Sequence, residues 1–385
     1  MQPTGIVDTP KATNPLKELL NYGQSVWYDY IRRDLIETGE LKRLIDEDGL
    51  RGMTSNPTIF EKAIVESRYY ADLLKSLDQR TDLDAGGRYE VLAIRDIQDA
   101  ADVLRPVYES SKHRDGYVSL EVSPLLARDT KATLNEARRL WKAVGRDNLM
   151  VKVPGTAEGI PAFQQLISEG ININVTLLFA QEVYEKVAEA YIAGVEQLAA
   201  NGGDLPRIAS VASFFISRID SAVDALLTAR LKTAKSDAEK NELQSLMGKV
   251  AIANGKQTYQ RYLKIFGTDR WKRLAAKGAH TQRVLWASTS TKNPQYSDVM
   301  YVEELIGADT VDTIPPATFD AFRDHGHPRA SLAENIAAAD ETMRKIEKAG
   351  ISMKEVTDKL TDDGVRLFAE AFDKLVKAVD KTSKS

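Results

Sequence analysis

The chain has no cysteine, which excludes disulfides, thiolate catalysis and zinc–thiolate sites together. Histidine is nearly as scarce. His113, His280, His325 and His327 are the full set, and His325-Gly-His327 has no third ligand beside it, so it reads as a solvated loop. No apolar run approaches the roughly 18 residues of a membrane span, and residues 1–15 lack the apolar stretch of a secretory leader. Neither sign of charge dominates. A net charge of −4 gives no electrostatic reason to expect nucleic acid or an anionic membrane as partner. A soluble cytoplasmic protein is expected, as a monomer or a homodimer.

At 385 residues and 43% hydrophobic content, the chain can bury a large core. Short apolar runs bounded by turn residues predict strands at 25–30, 50–57, 116–122, 149–153, 171–178, 207–213, 283–288 and 309–314. Helical periodicity fills 31–46, 58–78, 88–112, 130–144, 158–169, 181–200, 217–265 and 269–276, and again 333–348 and 353–379. Eight strands alternating with helices predict a parallel α/β sheet, and the count of eight favours a closed (β/α)8 TIM-type barrel. No Gly-x-Gly-x-x-Gly follows the first strand, which argues against a dinucleotide fold. The expected organisation is a flexible lead-in over 1–15 and one barrel domain from 16 to 385, with the last helices forming a cap on the outside of the barrel.

Lys152 stands out within Asn148-Leu-Met-Val-Lys-Val-Pro-Gly-Thr156. A charged side chain in a strand apolar on both sides must be paired, reach solvent or lose its proton. At the C-terminal end of a buried strand the last option yields a free amine able to attack a carbonyl and form an imine. A lysine that merely snorkels out of the strand is the plain alternative.

Other polar residues fall on single faces of otherwise apolar strands, near their C-terminal ends: Asp29, Asn56, Ser119 with Glu121, Asn174 with Thr176, Ser213 and Ser288. Together they describe a polar mouth above a packed barrel. Each also has a structural reading. Asp29 and Asn56 suit helix caps or turns, the serines suit small positions in barrel layers, and Glu121 with Lys152 suits a buried ion pair.

In order and spacing these stretches resemble the transaldolase family, in its longer bacterial-type subgroup. The resemblance rests on Gly52-Met-Thr-Ser-Asn-Pro-Thr58, Val118-Ser-Leu-Glu-Val-Ser123, Leu149-Met-Val-Lys-Val-Pro-Gly-Thr156, Ile173-Asn-Val-Thr-Leu177, Ser213-Phe-Phe-Ile-Ser-Arg218 and Ser288-Thr-Ser-Thr-Lys-Asn293, and extends from about residue 16 to 380. It implies a Schiff-base transferase of the non-oxidative pentose phosphate pathway acting on sugar phosphates, with neither metal nor cofactor. By resemblance, Lys152 forms the imine, Glu121 and Thr176 position a water, and Asp29 moves the proton of the hydroxyl next to the scissile bond. Asn56, Asn174 and Ser213 would hold substrate hydroxyls, with Ser119 and Phe215 beside them, and Arg218 would clamp phosphate. In the last motif Lys292 stands where the family commonly has arginine, and one residue is inserted, so Ser288 and Lys292 are both taken as phosphate contacts. Two alternatives stay open: an aldolase releasing free dihydroxyacetone, and a silent sugar-phosphate-binding barrel.

Overall fold

The computed structural model describes residues 14–66, 68–77 and 80–382. The expected lead-in falls, over residues 1–13, outside the described residues.

Eight parallel strands close into a barrel in chain order: β1 (Gln24–Tyr28), β2 (Gly52–Met53), β3 (Tyr117–Glu121), β4 (Leu149–Pro154), β5 (Ile173–Leu178), β6 (Ser210–Phe215), β7 (Arg283–Ala287) and β8 (Thr310–Ile314). β8 returns to pair with β1, so no edge is left unpaired. Nearly every strand residue is buried, as expected of a sheet with helices on one side and a packed interior on the other.

Two small-scale features fix the ring. At Gly52 a Cβ would fall 2.5 Å from the Trp27 ring, so glycine lets a two-residue β2 lie flat against the indole filling the barrel. At the end of β5 the register slips between Val175 and Leu178, and Leu177 takes a left-handed φ of 62°. The slip bends the strand just beyond Thr176. The N-terminal end of the barrel is closed by a buried ion pair: Arg283 donates to Asp115 at 2.8 Å and to Ser25 Oγ at 2.7 Å.

The helices expected at 130–144 and 181–200 occur as Thr130–Val144 and Gln181–Ala200. Others divide. The 31–46 segment breaks at Gly39 into Arg33–Glu37 and Glu40–Asp48, and 217–265 is three helices, Ser217–Leu231, Asp237–Leu246 and Val250–Phe266. The strand expected at 207–213 is displaced: Leu205–Arg207 is a short 3-10 turn, and β6 runs on to Phe215. Pro316–His325, not anticipated, supplies the helix that follows β8.

The main correction concerns the cap. Ile336–Lys348 packs on the outer helix Val250–Phe266, but Met353–Thr382 does not join the outer ring. It packs on Pro57–Glu66, Ala85–Ser110, Ser217–Leu231 and β5, meeting β5 at Leu177, and its Phe368 lines the cleft at the C-terminal mouth of the barrel. No helix of the described residues is long and apolar enough to cross a membrane.

Candidate active site

A cleft of about 550 Å³ opens at the C-terminal ends of the strands. Asp29, Asn56, Lys152, Thr176, Ser213, Phe215, Arg218, Ser288 and Lys292 all line it. Ser119 and Asn174 do not. They are fully buried one layer lower, where Ser213 Oγ donates to Asn174 Oδ1 at 2.6 Å and Asn174 Nδ2 donates to Ser119 Oγ at 3.1 Å. This chain of hydrogen bonds holds Ser213 from below. Glu121 lines a second, smaller cavity of about 160 Å³ behind the strand, together with Asn56, Phe60, Tyr89 and Phe372.

Lys152 is 5% exposed and reaches the cleft from β4. In the barrel register it sits between Glu121 on β3 and Asn174 on β5. Its Nζ donates to the Ser55 carbonyl at 3.0 Å and lies 3.4 Å from Glu121 Oε2. Glu121 Oε2 and Thr176 Oγ1 are buried and have no hydrogen-bond partner among the described residues. Burial pushes the Glu121 carboxyl above the usual carboxylate range; Lys152 opposes that shift and Asp29 adds to it.

Asp29 follows β1 directly, and its backbone N–H donates to Ile314 on β8. It caps no helix: the cap position of the next helix is Arg32. Thr54 Oγ1 donates to Asp29 Oδ1 at 2.7 Å and is itself 2.6 Å from Thr313 Oγ1. Burial raises the Asp29 carboxyl, opposed first by Lys152, then by the Thr54 hydrogen bond, Arg218 and Lys292. A carboxyl whose pKa is raised is a stronger base once ionised, which suits proton transfer. Asn56 does serve as a cap, accepting from Ile59 N at 3.1 Å, while still lining the cleft.

The far end of the cleft is cationic. Ser217–Leu231 begins there, and Ser217 Oγ lies 2.9 Å from Ser288 Oγ, where Ser288 takes a left-handed φ of 58°. The Arg218 guanidinium stands over the Phe215 ring, 5.2 Å from its centroid, and makes no salt bridge among the described residues. Lys292 donates to Ser290 Oγ at 2.7 Å. Burial lowers the pKa of both cations, Asp29 counteracting in each. Neither cation makes a carboxylate salt bridge among the described residues, and both stand beside a helix N-terminus, an arrangement that favours an anion.

Sequence reasoning passed over Thr313 and Phe368, and quoted Ser290 only as part of the Ser288–Asn293 motif. Thr313 supports Thr54, Ser290 holds Lys292, and Phe368 lines the cleft from the C-terminal helix. Thr313 carried a faint signal, as a polar residue near the end of β8, and Ser290 as a polar residue of the loop after β7. Phe368 carried none, because nothing in its own helix says which surface it covers.

Residues 26–379 match the family Transaldolase/Fructose-6-phosphate aldolase. The chain is 49% identical to a transaldolase of Trichodesmium erythraeum over 97% of this chain and 98% of the relative. It is 48% identical to a protein named Transaldolase 2 of a Nostoc species, over 96% and 97%. Identity to a transaldolase of Thiobacillus denitrificans is 47%, over 94% and 99%. With the barrel, the buried lysine and the cationic cleft already in place, these matches settle the family: the chain belongs to the transaldolase/fructose-6-phosphate aldolase family, a family of sugar-phosphate enzymes of the aldolase class.

Proposed function

We propose that this transaldolase carries a dihydroxyacetone unit on Lys152 from sedoheptulose 7-phosphate to glyceraldehyde 3-phosphate, giving erythrose 4-phosphate and fructose 6-phosphate. The observation that carries the reading is the placement of Lys152: nearly buried at the cleft, within ion-pair reach of one carboxylate, and in a cleft shared with a second.

The positions support the following chemistry. Lys152 Nζ, its proton passed toward Glu121, attacks the ketose carbonyl carbon to form a carbinolamine. Protonation of the new hydroxyl and loss of water leave the iminium ion. Glu121 Oε2 and Thr176 Oγ1, buried and without a hydrogen-bond partner among the described residues, are the groups available to hold that water. Asp29 takes the proton from the hydroxyl on the carbon beyond the scissile bond. The C–C bond then breaks, its electron pair moves into the iminium, and an aldehyde departs. The enamine left on Lys152 attacks the carbonyl carbon of the incoming aldehyde, and Asp29 returns the proton to the new alkoxide. Hydrolysis of the imine releases the product ketose and regenerates Lys152.

Arg218 and Lys292, with Ser288 beside the helix start, are the proposed phosphate contacts. Ser213 and Asn56 line the part of the cleft nearer Lys152 and suit the hydroxyls of the three-carbon unit. Asn174, lying one layer lower, is assigned to holding Ser213. An apolar Phe215 rather than an acid–base residue favours transfer over release, since protonating the enamine requires a donor.

Borohydride trapping with fructose 6-phosphate, followed by peptide mapping, tests the proposal. A dihydroxyacetone adduct on Lys152 is expected. No adduct in a folded protein that binds phosphate would leave a silent binding barrel.

A further inference from the structure

The barrel is structurally complete at Pro316–His325, the helix that follows β8, yet the chain continues into Met353–Thr382 and lays that helix over the mouth. One face of it descends stepwise. At Gly364 a Cβ would fall 2.8 Å from the Leu177 side chain, at the strand slip just beyond Thr176, so the helix touches down on the end of β5. Four residues on, Phe368 is 6% exposed and lines the substrate cleft. Four further, Phe372 sets its ring edge-on to Tyr89, 5.9 Å between centroids, and walls the small cavity behind Glu121. Spacing by four keeps all three on one helix face.

We propose that Phe368 is a specificity-determining residue: it roofs the Lys152 enamine and decides whether that enamine waits for an aldehyde or takes a proton from water and leaves as dihydroxyacetone. The inference rests on the Lys152 reading above. An enamine carbon is protonated by whatever donor can reach it, and an apolar cover withholds water while leaving the acceptor its own path along the cleft. Phe215 supplies such a surface from the barrel wall, and Phe368 supplies it from a helix with no other part in the site. Because Gly364 and Phe372 anchor the helix on either side, Phe368 is held in place by packing outside the cleft rather than by substrate.

The test uses the full-length chain with fructose 6-phosphate alone and then with erythrose 4-phosphate. In Phe368→Ala, borohydride trapping on Lys152 persists, while dihydroxyacetone release without acceptor rises roughly tenfold or more relative to transfer. Phe368→Leu keeps the apolar packing that holds the helix down, and serves where the alanine variant does not fold. Its release-to-transfer ratio rises less but in the same direction. An unchanged ratio in a folded variant that still traps the imine overturns the proposal. Loss of trapping in the unmodified enzyme overturns the Lys152 reading instead, so the two failures are distinct.

Discussion

Glu121 and Lys152 are register partners on adjacent strands, and their charged atoms meet at 3.4 Å in a space from which both side chains are almost wholly withdrawn from solvent. A buried pair at that separation is not optimised for stability, since desolvation of two ions offsets most of their attraction. It is well placed to pass a proton. In Glu121→Gln, imine formation should slow by roughly 10²–10⁴-fold with the fold retained. Single-turnover borohydride trapping measures this, and an unchanged trapping rate would remove Glu121 from the first step. In Lys152→Ala, trapping should vanish altogether while circular dichroism stays native.

Asp29 lines the cleft with Lys152, and the role proposed for it is cleavage rather than imine formation. Asp29→Asn should still form the imine, yet cleave the C–C bond roughly 10²–10⁴-fold more slowly. Trapping with fructose 6-phosphate should therefore yield an adduct retaining the whole sugar phosphate rather than a three-carbon fragment. Intact mass distinguishes the two. Failure to form any adduct would reassign Asp29 to the imine step.

Arg218 tests the anion site. Arg218→Ala should lower kcat/KM for glyceraldehyde 3-phosphate by roughly 10- to 100-fold, the scale of one or two charge-assisted hydrogen bonds. Unphosphorylated glyceraldehyde should be affected little. Equal loss for both aldehydes would mean that Arg218 shapes the cleft rather than binding phosphate.

Asp312 on β8 offers a pH-dependent stability test. It is fully buried; Thr289 Oγ1 donates to its Oδ1 at 3.0 Å, and its Oδ2 has no hydrogen-bond partner among the described residues. Burial raises its pKa from 3.8 to about 8. Below the lower value both folded and unfolded chains hold the proton. Between the two values only the unfolded chain releases it, so stability is lost as pH climbs through that window and levels off above it. The cost at the upper end is at most about 6 kcal/mol. Asp312→Asn removes it, less roughly 1–3 kcal/mol for a buried amide lacking an acceptor. The variant's advantage in Tm should therefore be absent near the lower limit and grow toward the upper. A difference independent of pH would show that Asp312 does not hold its proton in the folded state.

The barrel and much of the mouth were legible in the sequence because both obey periodicities of the chain itself. Alternation along a strand separates Lys152 and Thr176 from their apolar neighbours, and helices such as Thr130–Val144 announce their own boundaries. Depth was not legible. Ser119 and Asn174 share a face with Glu121 and Lys152, but strand stagger sets which layer each occupies, and that is decided between strands. Met353–Thr382 was harder still. Its amphipathic pattern shows that one face is buried, but not whether that face meets the barrel wall or the barrel mouth. The family resemblance assigned residue roles that periodicity alone had left open.

The buried latch at the opposite end bears on how the molecule comes to be folded. Arg283 meets Ser25 across 258 positions of sequence and Asp115 across 168. Asp115 can gain the Ser25 hydroxyl, which donates to its Oδ2 at 2.8 Å, from the first third of the chain alone, but the Arg283 guanidinium has neither of these partners until β7 is in place. Full burial of the ion pair therefore requires β7 to join β1, which carries Ser25, and the segment before Tyr117, which carries Asp115. Joining such distant segments carries a larger loop-closure cost than pairing neighbours does, so the latch is a contact that rewards only the closed ring.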